Sequence, residues 1–124
     1  MPQDCLSPMI DFETYTMGDD QDILVMAVSG RLDTDSSEFF FDCVKSQIEE
    51  GHTRLVIDFR DVDYISSLGL GTLVRAHARM KKVGGNVKLA RINALVAEIL
   101  TRVGFQRLFQ IYPTVSEACA AFDS

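Results

Sequence analysis

Apolar residues along this chain fall into strand-length runs and helix-spaced stripes that take turns. Ile23-Leu24-Val25-Met26-Ala27-Val28 is a continuous apolar run between the polar turn Asp19-Asp20-Gln21-Asp22 and Ser29-Gly30. Such a run predicts an interior strand. A weaker alternation over residues 11–16 predicts an edge strand before it. Beyond the link Arg31-Leu32-Asp33-Thr34, Phe40, Val44 and Ile48 recur at spacing four with Phe41 beside them, which predicts a helix packed on a sheet. Asp35 and Glu38 form its D-x-x-E start signal and Gly51 its stop.

The stretch 54–84 follows. Its apolar residues 55–59 predict a buried strand, its aspartates at 58, 61 and 63 predict an acidic turn, and residues 67–83 predict a helix opening with Leu68-Gly69-Leu70-Gly71. Gly84-Gly85-Asn86 predicts a turn into a strand over 87–90. Asn93 is placed to cap a helix with the apolar face Val96, Ile99, Leu100 and Val103, which Gly104 ends. A connector follows, with a short strand over 109–112 broken by Pro113. Thr114 and Glu117 then form a capping box for a last helix carrying Val115, Ala118, Cys119 and Phe122. The order predicts an α/β fold: a mixed, largely parallel β-sheet of about four to five strands packed with about four α-helices. Residues 1–9, with two prolines and little pattern, read as a loose tail, and residues 10–124 as a single domain.

Composition narrows the function classes. At 124 residues, 47% hydrophobic and 24% charged, the chain can bury a core without disulfides or metal. A net charge of −6 argues against nucleic acid as the main partner, because phosphate contacts need a basic surface. No apolar run reaches the length of a membrane span, and residues 1–11 lack the form of a signal peptide, so a cytoplasmic location without membrane attachment is expected. Cys5, Cys43 and Cys119 show no CxxC spacing, and His52 and His77 stand apart, so neither a disulfide framework nor a metal site is expected. No P-loop, G-x-G-x-x-G or ordered Ser/His/Asp set is present, so the chain reads as a non-enzyme without a cofactor. A receiver domain phosphorylated on Asp58 would need an acidic pair after its first strand to hold Mg²⁺, whereas Asp19, Asp20 and Asp22 precede a strand.

The helix over 67–83 carries the candidate chemistry. At about 100° per residue, Leu70, Leu73, Val74, His77 and Met80 share one face and should meet the sheet, with His77 a packed histidine satisfied by a hydrogen bond. The opposite face holds Leu68, Gly71, Thr72, Arg75, Arg79 and Lys82. A basic stripe on a helix is usually a solvated face; here, beside an exposed leucine and small residues, the alternative is a surface where another backbone can approach. Ser66 and Ser67 sit at the loop-to-helix junction, where serine caps and anions are both favoured. A phosphate there adds about −1.5 to −2 charges without unfolding the helix, so it would act by changing what docks.

These residues resemble the STAS domains of bacterial anti-sigma factor antagonists. The resemblance rests on the strand and helix opening from Leu55 to Gly71, on Lys82-Val83-Gly84-Gly85, on Gly30-Arg31-Leu32-Asp33, and on the segment from Asn93 to Phe109. It spans about residues 10–122. Aligned on the family's D-S-[ST]-G-L-G, Ser66 stands at the aspartate, Ser67 at the phospho-acceptor serine and Leu68 at the second serine or threonine, with Ser66 a rival acceptor. The resemblance implies that the unphosphorylated protein binds an anti-sigma factor serine kinase of the histidine-kinase-like ATPase type. It implies release on phosphorylation and resetting by a serine phosphatase. Partner binding then falls to Asp33, Leu68, Gly69, Gly71, Thr72, Arg75 and Arg79. Within the same fold, the alternative is a non-phosphorylated scaffold or subunit of a larger assembly, of stressosome-like or lipid-transport type.

Overall fold

The computed structural model describes residues 10–18, 22–34 and 36–122. In chain order it contains β1 (Ile10–Met17), β2 (Ile23–Leu32), α1 (Ser37–Glu49), β3 (Arg54–Ile65), α2 (Ser67–Lys82), β4 (Asn86–Ala90), α3 (Ala94–Arg102), a 3-10 turn (Phe105–Arg107), β5 (Gln110–Tyr112) and α4 (Val115–Ala121). The five strands form one sheet in the order β1-β2-β3-β4-β5. The β1 edge is antiparallel to β2, and the other neighbours are parallel. The expected tail over 1–9, Cys5, the Asp19-Asp20-Gln21 part of the polar turn and the helix-start residue Asp35 lie outside the described residues.

Each parallel pair is joined by a helix, and the alternation of side chains divides the core between the two sheet faces. One face carries Leu24, Met26, Leu55, Ile57, Phe59, Val87 and Leu89, packed under Phe40 and Val44 of α1, Leu70, Leu73 and Met80 of α2, and Val96 and Leu100 of α3. The other face carries Ile23, Val25, Val56 and Ala90 under Ala118 and Cys119 of α4. Lys88 is buried on β4, bonded to Gln110 Oε1, with its ammonium 4.7 Å from the Phe122 ring centroid. Burial, then Lys81, pulls its pKa below the ordinary lysine value. Asn93 caps α3 and Thr114 caps α4, accepting from Val96 N and Glu117 N respectively. Val103 does not join the buried face of α3; it stands at the helix end and is exposed.

The acidic segment 58–63 is not a turn. It is the second half of β3, which pairs with the end of β2 through Ser29↔Asp61, Gly30↔Val62, Arg31↔Tyr64 and Leu32↔Ile65, with register shifts on the way. Val62 and Ile65 are buried while Asp61 and Asp63 point to solvent, so the burial of two aliphatic side chains outweighs the poor strand propensity of aspartate. Gly30, at φ 105°, supplies the backbone freedom that the irregular pairing needs. The extension carries β2 and β3 past β4 and fixes where α2 begins.

Candidate functional site

The site lies where β3 turns into α2, beside the β2–α1 turn, at the carboxyl ends of two parallel strands. In open α/β sheets this is the end that carries function. Two backbone features join the turns. Ser66 N donates to Leu32 O at 2.9 Å, and Gly69 packs so close that a β-carbon on it would lie 2.4 Å from the same oxygen.

The two serines are used differently. Ser66 is half-buried, extended in backbone, and its hydroxyl accepts the Gly69 N–H at 3.0 Å as the N-cap of α2. Ser67, the first residue of the helix, is exposed. The first main-chain bond of the helix runs from Leu70 N to Ser66 O. The N–H groups of Ser67 and Leu68 therefore precede the intrahelical ladder and add to the positive end of the helix dipole. The first turn of α2 carries no acidic side chain that would repel an incoming phosphate.

Leu68 beside Ser67 is 49% exposed, a large apolar side chain in water at the mouth of the site. Nothing lies within 4 Å of where a β-carbon on Gly71 would stand, so this position is open surface. Arg75 and Arg79 are exposed on the same stripe. Two residues expected on this surface are not there. Thr72 is 1% exposed, its hydroxyl donating to Gly69 O at 2.7 Å, and Gly69 is buried against Leu32. At about 100° per residue Thr72 lies at the border of the stripe, and the close approach of β2 draws that border into the core.

Asp33 adjoins Leu32 in the neighbouring turn. Its Oδ1 accepts Ser36 N at 3.2 Å, while Ser36 Oγ accepts Asp33 N at 3.0 Å and donates to Arg31 O at 2.6 Å. Ser36, buried and at the N-cap position of α1, thus ties the turn together instead of capping the helix with its side chain. Arg31 and Tyr64, cross-strand partners, add an element that pattern reading missed: the guanidinium lies 4.5 Å from the Tyr64 ring centroid, and both side chains border the serine loop. Only the paired register of the strand ends brings them together. Arg75 likewise reaches α1, bonding Glu38 at 2.9 Å and stacking 4.0 Å from the Phe41 ring centroid.

Asp58, the acceptor in a receiver reading, is 3% exposed, and Arg91 Nε donates to its Oδ1 at 3.0 Å. His77 is half-buried against the edge of Phe109, with its Nδ1 buried and without a hydrogen-bond partner among the described residues, so the expected satisfied histidine is not found. Burial and, secondly, Lys81 lower its pKa. Among the described residues no cluster of three or more His, Cys, Asp or Glu is arranged to hold a metal, and no helix is long and apolar enough to cross a membrane.

Comparison with known proteins identifies relatives of this fold. A model of the STAS domain matches residues 15–118. BtrV of Bordetella bronchiseptica, provisionally designated an anti-sigma factor antagonist, is 27% identical over 107 residues, 86% of this chain and 92% of its own. The anti-sigma-F factor antagonist RsfB of Mycobacterium tuberculosis is 24% identical over 110 residues, covering 87% and 88%. Among solved structures, the Bacillus anti-sigma factor antagonist SpoIIAA shares the fold at 18% identity. Its unphosphorylated form superposes with a TM-score of 0.76 over 90% of this chain and 96% of its own, and its phosphorylated form with 0.68 over 90% and 98%.

Proposed function

This chain belongs to the STAS domain family, and from that premise we propose that it is an anti-sigma factor antagonist whose binding is switched by phosphorylation of Ser67. The observation that carries the reading is the division of labour between the two serines. Ser66 spends its hydroxyl on the Gly69 N–H, while Ser67 offers an exposed hydroxyl one residue further on. The anti-sigma factor antagonist names of BtrV and RsfB support the class of function, and the two solved forms of SpoIIAA support a phosphorylation switch on this fold.

In the unphosphorylated state the partner, an anti-sigma factor serine kinase of the histidine-kinase-like ATPase type, closes over Leu68 and Gly71 and follows Arg75 and Arg79 along α2. Asp33 flanks it from the neighbouring turn. Burying Leu68 removes apolar surface from water at about 25 cal/mol per Å². A phosphate on Ser67 is accepted by the helix end, worth about 0.3–1 kcal/mol. The protein itself therefore stays folded. The same phosphate, trapped in an interface with no matching cation, is costly to desolvate and expels the partner. A serine phosphatase resets the switch. ATP is bound by the kinase.

The test is intact-mass and phosphosite mapping after incubation with ATP and each candidate kinase of the same genome, for wild type, Ser67→Ala and Ser66→Ala. One added phosphate, absent only from Ser67→Ala, is expected. Loss only in Ser66→Ala moves the acceptor by one residue. Stable binding to a kinase with no phosphate added would overturn the switch and favour a non-phosphorylated scaffold or subunit.

A further inference from the structure

The basic stripe of α2 does not stand alone. It forms one wall of a groove of about 380 Å³ whose other wall is α1, lined by Phe41, Lys45, Arg75, Ala78, Arg79 and Lys82. Four cations thus converge on one groove of a chain whose net charge is −6. Helix-end electrostatics account for part of this, since Arg79, Lys81 and Lys82 lie in the last turn of α2. They do not account for Arg75 in mid-helix or for Lys45, because α1 has no basic residue in its last turn. Lys45, Arg79 and Lys82 have no acidic partner among the described residues. Arg75 has one: the Glu38 carboxylate, bonded at 2.9 Å while the guanidinium lies over Phe41.

We infer that this groove receives an acidic segment of the protein partner that docks on α2; the identity of that partner rests on the function proposed above. The chain's own Glu38 shows how a carboxylate seats on Arg75. From Arg75 to Lys82 the helix advances about 10 Å, the reach of about three extended residues. Leu68 and Gly71 share the stripe, so a partner covering them continues directly into the groove. A peptide fits better than a membrane, because the cations face a recess between two helices and the rest of the surface would be repelled by anionic lipid.

The probe is a fluorescein-labelled hexaglutamate peptide, titrated onto the full chain by anisotropy at about 50 mM and about 300 mM salt. Wild type should bind at low salt and weaken at high salt. Lys45→Glu/Arg79→Glu/Lys82→Glu should lose at least about tenfold in affinity, or about 1.4 kcal/mol. The neutral triple Lys45→Gln/Arg79→Gln/Lys82→Gln should show a smaller loss and guards against misfolding. The remote triple Arg60→Glu/Arg102→Glu/Arg107→Glu changes net charge equally and should keep most of the binding. No binding to wild type, or equal losses in the groove and remote triples, would overturn the inference. Capture by phosphatidylserine vesicles in preference to the peptide would overturn it as well. Because the peptide assay contains no kinase, a failed kinase reading and a failed groove give separate results.

Discussion

The carbonyl oxygen of Leu32 would lie 2.4 Å from a β-carbon on residue 69, and the same oxygen accepts the Ser66 N–H at 2.9 Å. The end of β2 thereby sets both the start of α2 and the pose of its two serines. Gly69 is glycine because backbone occupies the space a side chain would need, and backbone yields less readily than a flexible side chain. Gly69→Ala is expected to destabilise by about 1–3 kcal/mol through overpacking. Gly71→Ala, with open space around it, should be neutral or stabilise by up to about 1 kcal/mol. Thermal melts of the two variants check this; equal Tm values would contradict the close approach.

The serines should separate in the same experiment. Ser66→Ala removes the N-cap bond to Gly69 N and should cost about 1 kcal/mol, or about 3–5 °C in Tm for a domain of this size. Ser67→Ala removes an exposed hydroxyl and should stay within about 0.5 kcal/mol. The residue that matters most for the proposed switch is then the one that matters less for stability. If Ser67→Ala were the more destabilising, the assignment of cap and acceptor would be reversed.

Much of this was legible before the structure. Apolar runs and stripes announced the strands and helices, and Asn93 and Thr114 cap where their spacing placed them. The serine junction was legible because capping chemistry is local. What escaped depends on contacts distant in sequence. The aspartates of 58–63 spell a turn by propensity, yet pairing with the end of β2 makes them strand. Thr72 looks exposed on a helical wheel, which shows the angle of a residue but not the closeness of the neighbouring strand. The pairing of Arg31 with Tyr64, and of Arg75 with Glu38 and Phe41, joins separate elements and leaves no periodic trace.

Asp58 and Arg91 give a third expectation. The carboxylate is buried, the guanidinium is partly exposed, and Arg91 holds a left-handed backbone at φ 56°. Arg91→Ala keeps that unfavourable backbone and leaves a buried carboxylate without its cation. It should cost about 2–3 kcal/mol, below the full cost of breaking a wholly buried pair because water reaches the arginine side. Combined with Asp58→Asn, the cycle should show a coupling of at least about 1 kcal/mol by urea unfolding. Strictly additive losses would mean that the pair is incidental.

His77 should impose a pH dependence whose sign follows from its surroundings. Burial against Phe109 and the nearby Lys81 ammonium both disfavour the imidazolium, so its folded pKa lies below the ordinary value of about 6.5. Above that value the imidazole is neutral in both states and contributes no slope. As pH falls through about 6.5 the unfolded chain takes up a proton that the folded chain resists. Stability therefore declines until the folded pKa is also passed. His77→Leu removes this titration together with the unpartnered Nδ1. At neutral pH the variant should be as stable as wild type or up to about 1 kcal/mol more so, because no buried polar atom is left unsatisfied. Urea unfolding of both proteins at about pH 7.5 and about pH 5.5 isolates the effect, since every other group titrates in common. The gap between the two should widen in favour of His77→Leu at the lower pH. A constant gap would show that the folded protein protonates His77 as readily as the unfolded chain does.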